Sequence, residues 1–111
     1  MKSKFEIVFL ENVIDFFESI EDKARDKIIF NIHLVRKSND PKLFKKLEDE
    51  IWEFRTLYNK KQYRLFAFWD KTTETKTLVV ATHGIIKKTQ KIPTKEILKA
   101  KELKKRYFEK R

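Results

Sequence analysis

Ile51-Trp52-Glu53-Phe54-Arg55-Thr56-Leu57-Tyr58, then Asn59-Lys60-Lys61, then Gln62-Tyr63-Arg64-Leu65-Phe66-Ala67-Phe68-Trp69-Asp70 is the stretch on which the fold turns. Aromatic and β-branched side chains crowd both runs and a short polar break parts them, the pattern of two strands joined by a tight turn. Side chains in a strand alternate between faces. Trp52 and Phe54 therefore share one face, with Glu53 and Arg55 on the other. In the next run Tyr63, Leu65 and Ala67 are separated from Arg64, Phe66 and Phe68. Each strand offers one arginine to a sheet face.

Downstream, a polar turn from Lys71 to Lys76 leads to a third strand, Thr77 to His83, so that the middle of the chain reads as an antiparallel meander. Upstream, Phe5 to Phe9 reads as a first strand. Asn12 then caps a short helix carrying Val13, Phe16, Phe17 and Ile20 at helical spacing. Glu21-Asp22 makes a break. A second helix from Asp22 to Lys37 aligns Ala24, Ile28, Ile32 and Val35 on one stripe, and the Ser38-Asn39-Asp40-Pro41 cluster ends it. Beyond Gly84 come a basic loop, Lys87-Lys88-Thr89-Gln90-Lys91, and a last helix opened by Pro93-Thr94, with Ile97, Ala100, Leu103 and Tyr107 on one face. The expected architecture is α+β, in the order β-α-α-β-β-β-α: an antiparallel sheet with an N-terminal helical hairpin on one face and a C-terminal helix. All 111 residues are expected to form a single domain.

Composition narrows the chemistry. Ten Phe, two Trp and three Tyr make a chain that folds, although 40% of its residues are charged. There is no cysteine, which removes disulfides and thiolate chemistry, and His33 and His83 are the only histidines. No apolar run is long enough to span a bilayer and Met1 to Leu10 lacks a signal-peptide pattern, so a cytoplasmic protein without a membrane partner is expected. Of the net charge of +10, +8 falls between Ile85 and Arg111. Such a field attracts a polyanion or an acidic protein partner, and it equally describes a solvated lysine-rich helix.

Glycine-rich phosphate loops, Ser/His pairs and metal-ligand spacings are absent from the sequence, so no cofactor and no metal is expected. What remains is cationic chemistry. RNA cleavage without a metal needs a base for the 2'-OH, an acid for the leaving 5'-oxygen and fixed positive charge for the phosphorane. Arg55, Arg64, His83, Lys87 and Lys88 lie near strand ends or in the basic loop. Each also has a structural reading: Arg55 can pair with Glu53, Arg64 can lie over Phe66 or Phe68, His83 can pack at a strand end, and Lys87-Lys88 can be plain surface. Glu48-Asp49-Glu50 reads as a solvated turn, and Trp52, Phe54 and Trp69 as core.

Ile51-Trp52-Glu53-Phe54-Arg55, Tyr63-Arg64-Leu65-Phe66 and His83-Gly84-Ile85-Ile86-Lys87-Lys88-Thr89-Gln90-Lys91-Ile92-Pro93 together resemble the phage-derived, HigB-like branch of the RelE/ParE toxin superfamily. The resemblance implies a type II toxin: a ribosome-dependent endoribonuclease that cuts translated mRNA and is encoded beside a neutralising helix-turn-helix antitoxin. It implies that Arg55 and Arg64 position and stabilise the scissile phosphate, that Lys87 or Lys88 adds charge, and that Tyr107 stacks on or acts near the base. Glu53 stands where RelE-like toxins carry a lysine, so the base and the acid stay unassigned. Two alternatives share the scaffold: a ParE-like gyrase inhibitor, and a non-catalytic module that binds nucleic acid or antitoxin. The basic C-terminal segment is a candidate for an antitoxin docking surface and equally for an RNA surface, and the face that the antitoxin covers stays open.

Overall fold

A computed structural model describes residues 5–38, 40–72 and 78–110. The strands β1 (Glu6–Phe9), β2 (Phe44–Glu48), β3 (Ile51–Tyr58), β4 (Lys61–Asp70) and β5 (Leu78–Lys87) form one sheet in the order β1-β5-β4-β3-β2. The helices are α1 (Glu11–Ser19), α2 (Asp22–Ser38) and α3 (Thr94–Glu109). No helix among the described residues is long and apolar enough to cross a membrane.

The α+β class agrees with expectation; strand number, order and direction do not. Phe44-Lys45-Lys46-Leu47-Glu48 is a further edge strand, antiparallel to β3. Its lysines hid it, because an edge strand carries charge where a central strand cannot. β1 runs parallel to β5, so the sheet is mixed rather than antiparallel. β5 also continues through Gly84 to Lys87 instead of stopping at His83, which moves Lys87 from loop to strand end. Thr77 and most of the Lys71–Lys76 turn lie outside the described residues. Asn12 is no cap: the Leu10 N–H still bonds Ala81 O at 3.0 Å, and the Leu10 carbonyl already accepts from Val13 N at 2.9 Å. The chain therefore enters α1 straight from the ladder.

Both described hairpins use two-residue turns, Asp49-Glu50 and Asn59-Lys60, with all four residues at positive φ. This is the geometry that matches the twist of the flanking strands.

The two faces divide as the alternation requires. Tyr63, Leu65 and Ala67 of β4 and Phe54 of β3 join Val13, Phe17, Ile28, Ile32 and Val35 beneath the hairpin. Phe66 and Phe68 form a second cluster with Ile51, Val80 and Ala100, so α3 covers the opposite face. Burying a phenylalanine contributes roughly 1.5–3 kcal/mol. Phe54, Phe66 and Phe68 are each 0–1% exposed.

Gly84 faces the hairpin, where an added Cβ would stand 2.3 Å from Phe16 Cδ2. Close approach of the α1 ring, not a left-handed backbone, explains this glycine. Gly84→Ala is expected to cost about 1–3 kcal/mol through overpacking. Urea unfolding checks this, and the added variant Phe16→Leu should recover part of the loss.

Candidate functional site

Register brings the arginines together. Arg55 is paired with Arg64 across β3 and β4, and Arg64 with Ile85 on β5; one step along, Gln62 is paired with Lys87. These side chains rise on the α3 face at the end of the sheet beyond the helix. Arg55, Lys60, Gln62, Lys87, Lys88, Thr89 and Gln90 line an open groove of about 480 Å³. Its walls are strand ends and the start of the basic loop, so the β5 extension is what carries Lys87 into it.

The backbone under Arg55 is held from two sides. Its N–H donates to Leu43 O at 2.7 Å, and Asn31 of α2 donates from Nδ2 to Thr56 Oγ1 at 3.1 Å and to the Arg55 carbonyl at 3.4 Å. The side chain is 35% exposed, with Nε 3.7 Å from Glu53 Oε2. Arg55 can therefore reach a ligand while its strand stays fixed.

Arg64 is different. Its side chain is 3% exposed, Nη1 donates to Tyr63 O at 3.1 Å and Nη2 to Gln62 Oε1 at 2.8 Å. Its Nε stands 3.3 Å from Glu53 Oε1, close enough for an ion pair but not aligned as a hydrogen bond, so both atoms lack a directed partner. Burial pushes the Glu53 carboxyl above its ordinary proton affinity, against the pull of Arg64, Arg55, Lys87 and Lys45. Burial likewise lowers the pKa of Arg64 and of Lys87, and for Lys87 the neighbouring Arg64 adds to the effect. Glu53 and Arg64 thus form a charged floor beneath a cationic groove. Alternation along β3 puts Glu53 on the Arg55 side, but no local pattern signals its burial, or that Lys60, Gln62, Thr89 and Gln90 line the groove.

His83 and Tyr107 lie elsewhere. A bulge in β5 makes Phe66 pair with His83 and Ala67 with Ala81, leaving Thr82 as the extra residue. His83 consequently stacks on Phe66, with ring centroids 4.9 Å apart, and is 2% exposed beneath α3. Its Nε2 is 3.1 Å from Glu96 Oε1 and its Nδ1 3.0 Å from Thr82 Oγ1. Burial lowers its pKa, opposed by the Glu96 contact. Tyr107 donates to Asp70 Oδ2 at 2.7 Å and packs against Phe68. Asp70 is about 20 Å along β4 from Arg64. With the Lys101–Asp49 ion pair, these contacts tie α3 to the sheet along its length. The expected solvated turn at Glu48-Asp49-Glu50 is thus a hairpin turn held through Asp49 to α3 and through Glu50 to Lys46.

The groove joins Arg55, Lys87 and Lys88 over Arg64 and leaves out His83 and Tyr107. Among the described residues no group of His, Cys, Asp and Glu could hold a metal ion. The arrangement suits a phosphodiester: cations at the mouth, and a carboxylate of raised proton affinity beside a lysine of lowered pKa.

No curated protein matches the chain. A family model described as "Phage derived protein Gp49-like (DUF891)" matches residues 15–105, from α1 to the last third of α3. The chain belongs to this phage-derived Gp49-like family, a family of the RelE/Gp49 toxin type associated with toxin–antitoxin toxins.

Proposed function

We propose that this chain is the toxin of a type II toxin–antitoxin pair, of the HigB-like kind, and that it cuts mRNA on the ribosome without a metal. The observation that carries the reading is the Arg55–Lys87 groove over the Glu53–Arg64 pair. Arg55, Lys60 and Lys88 bind the phosphates flanking the scissile bond. A phosphate drawing Arg55 away uncovers the Oε2 side of Glu53, whose Oε1 stays beside Arg64, and that carboxylate takes the 2'-OH proton. The 2'-oxygen attacks phosphorus, the bond from phosphorus to the 5'-oxygen breaks, and Lys87 protonates the departing oxygen. The products are a 2',3'-cyclic phosphate and a 5'-hydroxyl. Arg55 stabilises the extra charge on the phosphorane, and Arg64 positions Glu53 and Gln62 without touching RNA. His83 and Tyr107 are assigned to holding α3.

The test is induced expression in bacteria with and without the neighbouring antitoxin gene, with mRNA 5' ends mapped within minutes. New ends inside translated frames are expected, and in a purified system they should need ribosomes. Growth arrest without new ends would replace this reading with gyrase inhibition, and no arrest at all with a non-catalytic binding module.

A further inference from the structure

Helix α2 buries Ala24, Ile28, Ile32 and Val35 against the sheet, yet its outer face also carries large apolar groups. Phe30 is 54% exposed and Leu34 38% exposed. They stand four residues apart, so they form one patch rather than scattered apolar atoms. Lys23 and Lys27 lie on one side of the patch along the helix and Lys37 on the other, at the three- and four-residue spacing of a single stripe. The Lys27 ammonium sits 5.1 Å from the centre of the Phe30 ring. Asp22 and Asp26 are both taken by Arg25, at 3.4 and 3.2 Å. Among the described residues no carboxylate pairs with Lys23, Lys27 or Lys37.

We propose that this face of α2 is the docking surface for an acidic amphipathic helix of the antitoxin, its apolar stripe over Phe30 and Leu34 and its carboxylates on the flanking lysines. The partner's identity rests on the toxin reading above; the surface itself does not. Charge selects the occupant. Two copies of this chain packed through α2 would set lysine against lysine, whereas an acidic helix meets both ends of the patch, in keeping with the chain's net charge of +10. The basic C-terminal segment has charge but no comparable apolar centre: on α3 only Leu98 is strongly exposed among its large apolar side chains. Because α2 packs on the hairpin face and the groove opens on the α3 face, docking and catalysis occupy opposite sides of the sheet and can be separated by substitution.

The experiment uses the full chain and the helix-turn-helix protein encoded beside it. Phe30→Glu and Leu34→Glu alter exposed positions, and thermal unfolding verifies that the fold is kept. Each is expected to weaken the measured Kd roughly 30-fold or more, the range of a central interface residue. Neutralisation of growth arrest should be lost, while mRNA cleavage by the free chain is unchanged. Lys27→Glu with Lys37→Glu should weaken binding most at low salt. Hydrogen exchange in the complex should protect α2. Unchanged affinity in both glutamate variants overturns the proposal, as does protection of the groove without α2, or a self-associated dimer that Phe30→Glu dissolves. A free chain that cuts no RNA yet binds its partner through Phe30 would remove the ribonuclease reading and leave the docking surface standing.

Discussion

Arg55→Ala is expected to slow mRNA cleavage by about 10²–10³-fold, the usual cost of removing one fixed charge from a charge-developing transition state. The unfolding midpoint should barely move. Its side chain is 35% exposed, and its ion contact to Glu53 spans 3.7 Å, longer than the 3.3 Å at which Arg64 keeps Glu53 paired after the substitution. The hydrogen bonds that fix the strand, from the Arg55 N–H to Leu43 O and from Asn31 to the Arg55 carbonyl, belong to the backbone and survive the substitution. Lys87→Ala should show a comparable loss. The double variant should fall by less than the product of the two, because both cations act on the same phosphate. Mapping of 5' ends in a purified translation reaction, at matched ribosome occupancy, provides the measurement. Cleavage at the full rate by Arg55→Ala would take the groove out of the reaction. Affinity for the antitoxin should be the same in all three variants, since α2 lies across the sheet.

Alternation along β3 and β4 is legible because both strands are central and each face meets a different cluster. The pattern of Trp52/Phe54 against Glu53/Arg55 records two real environments. Where the local pattern is weak, structure was lost to view. Phe44–Glu48 shows two adjacent lysines and little periodicity, and its pairing with β3 is what makes it a strand. The parallel pairing of β1 with β5 joins residues some 70 positions apart, and nothing local encodes it.

The same limit governs the site. Alternation tells on which face a side chain stands, not how deep. Arg55 and Arg64 are neighbours across two strands, yet one is open to the groove and the other is sealed under Gln62 and beside Glu53. The bulge at Thr82 shifts the alternation of β5 by one, carrying His83 onto the Phe66 side and into contact with Glu96. Strict alternation from Val80 places Thr82 opposite Phe66 instead.

Arg64→Met is expected to destabilise the protein at neutral pH by about 3–5 kcal/mol, because it leaves the Glu53 carboxylate buried without its nearest counter-charge. The companion variant Glu53→Gln/Arg64→Met, with neither charge, should recover most of the loss. The pH dependence has a definite sign. Burial already raises the folded-state pKa of Glu53 above its ordinary value of 4.5, and removing Arg64 removes the first of the cations opposing that rise. A carboxyl whose folded pKa exceeds its unfolded pKa contributes stability that is full below the unfolded value and is lost as pH rises through the folded one. The penalty of Arg64→Met, measured as the difference in urea midpoint from the parent chain, should therefore be smaller at pH 5 than at pH 8. In the double variant the pH dependence arising at this site should vanish. A penalty independent of pH would mean that Glu53 stays solvated when Arg64 is gone, and that the floor of the groove is wetter than its 5% exposed carboxylate side chain implies. It follows that growth arrest lost in an Arg64 variant reports on folding before it reports on catalysis, whereas the same loss in Arg55→Ala reports on the groove.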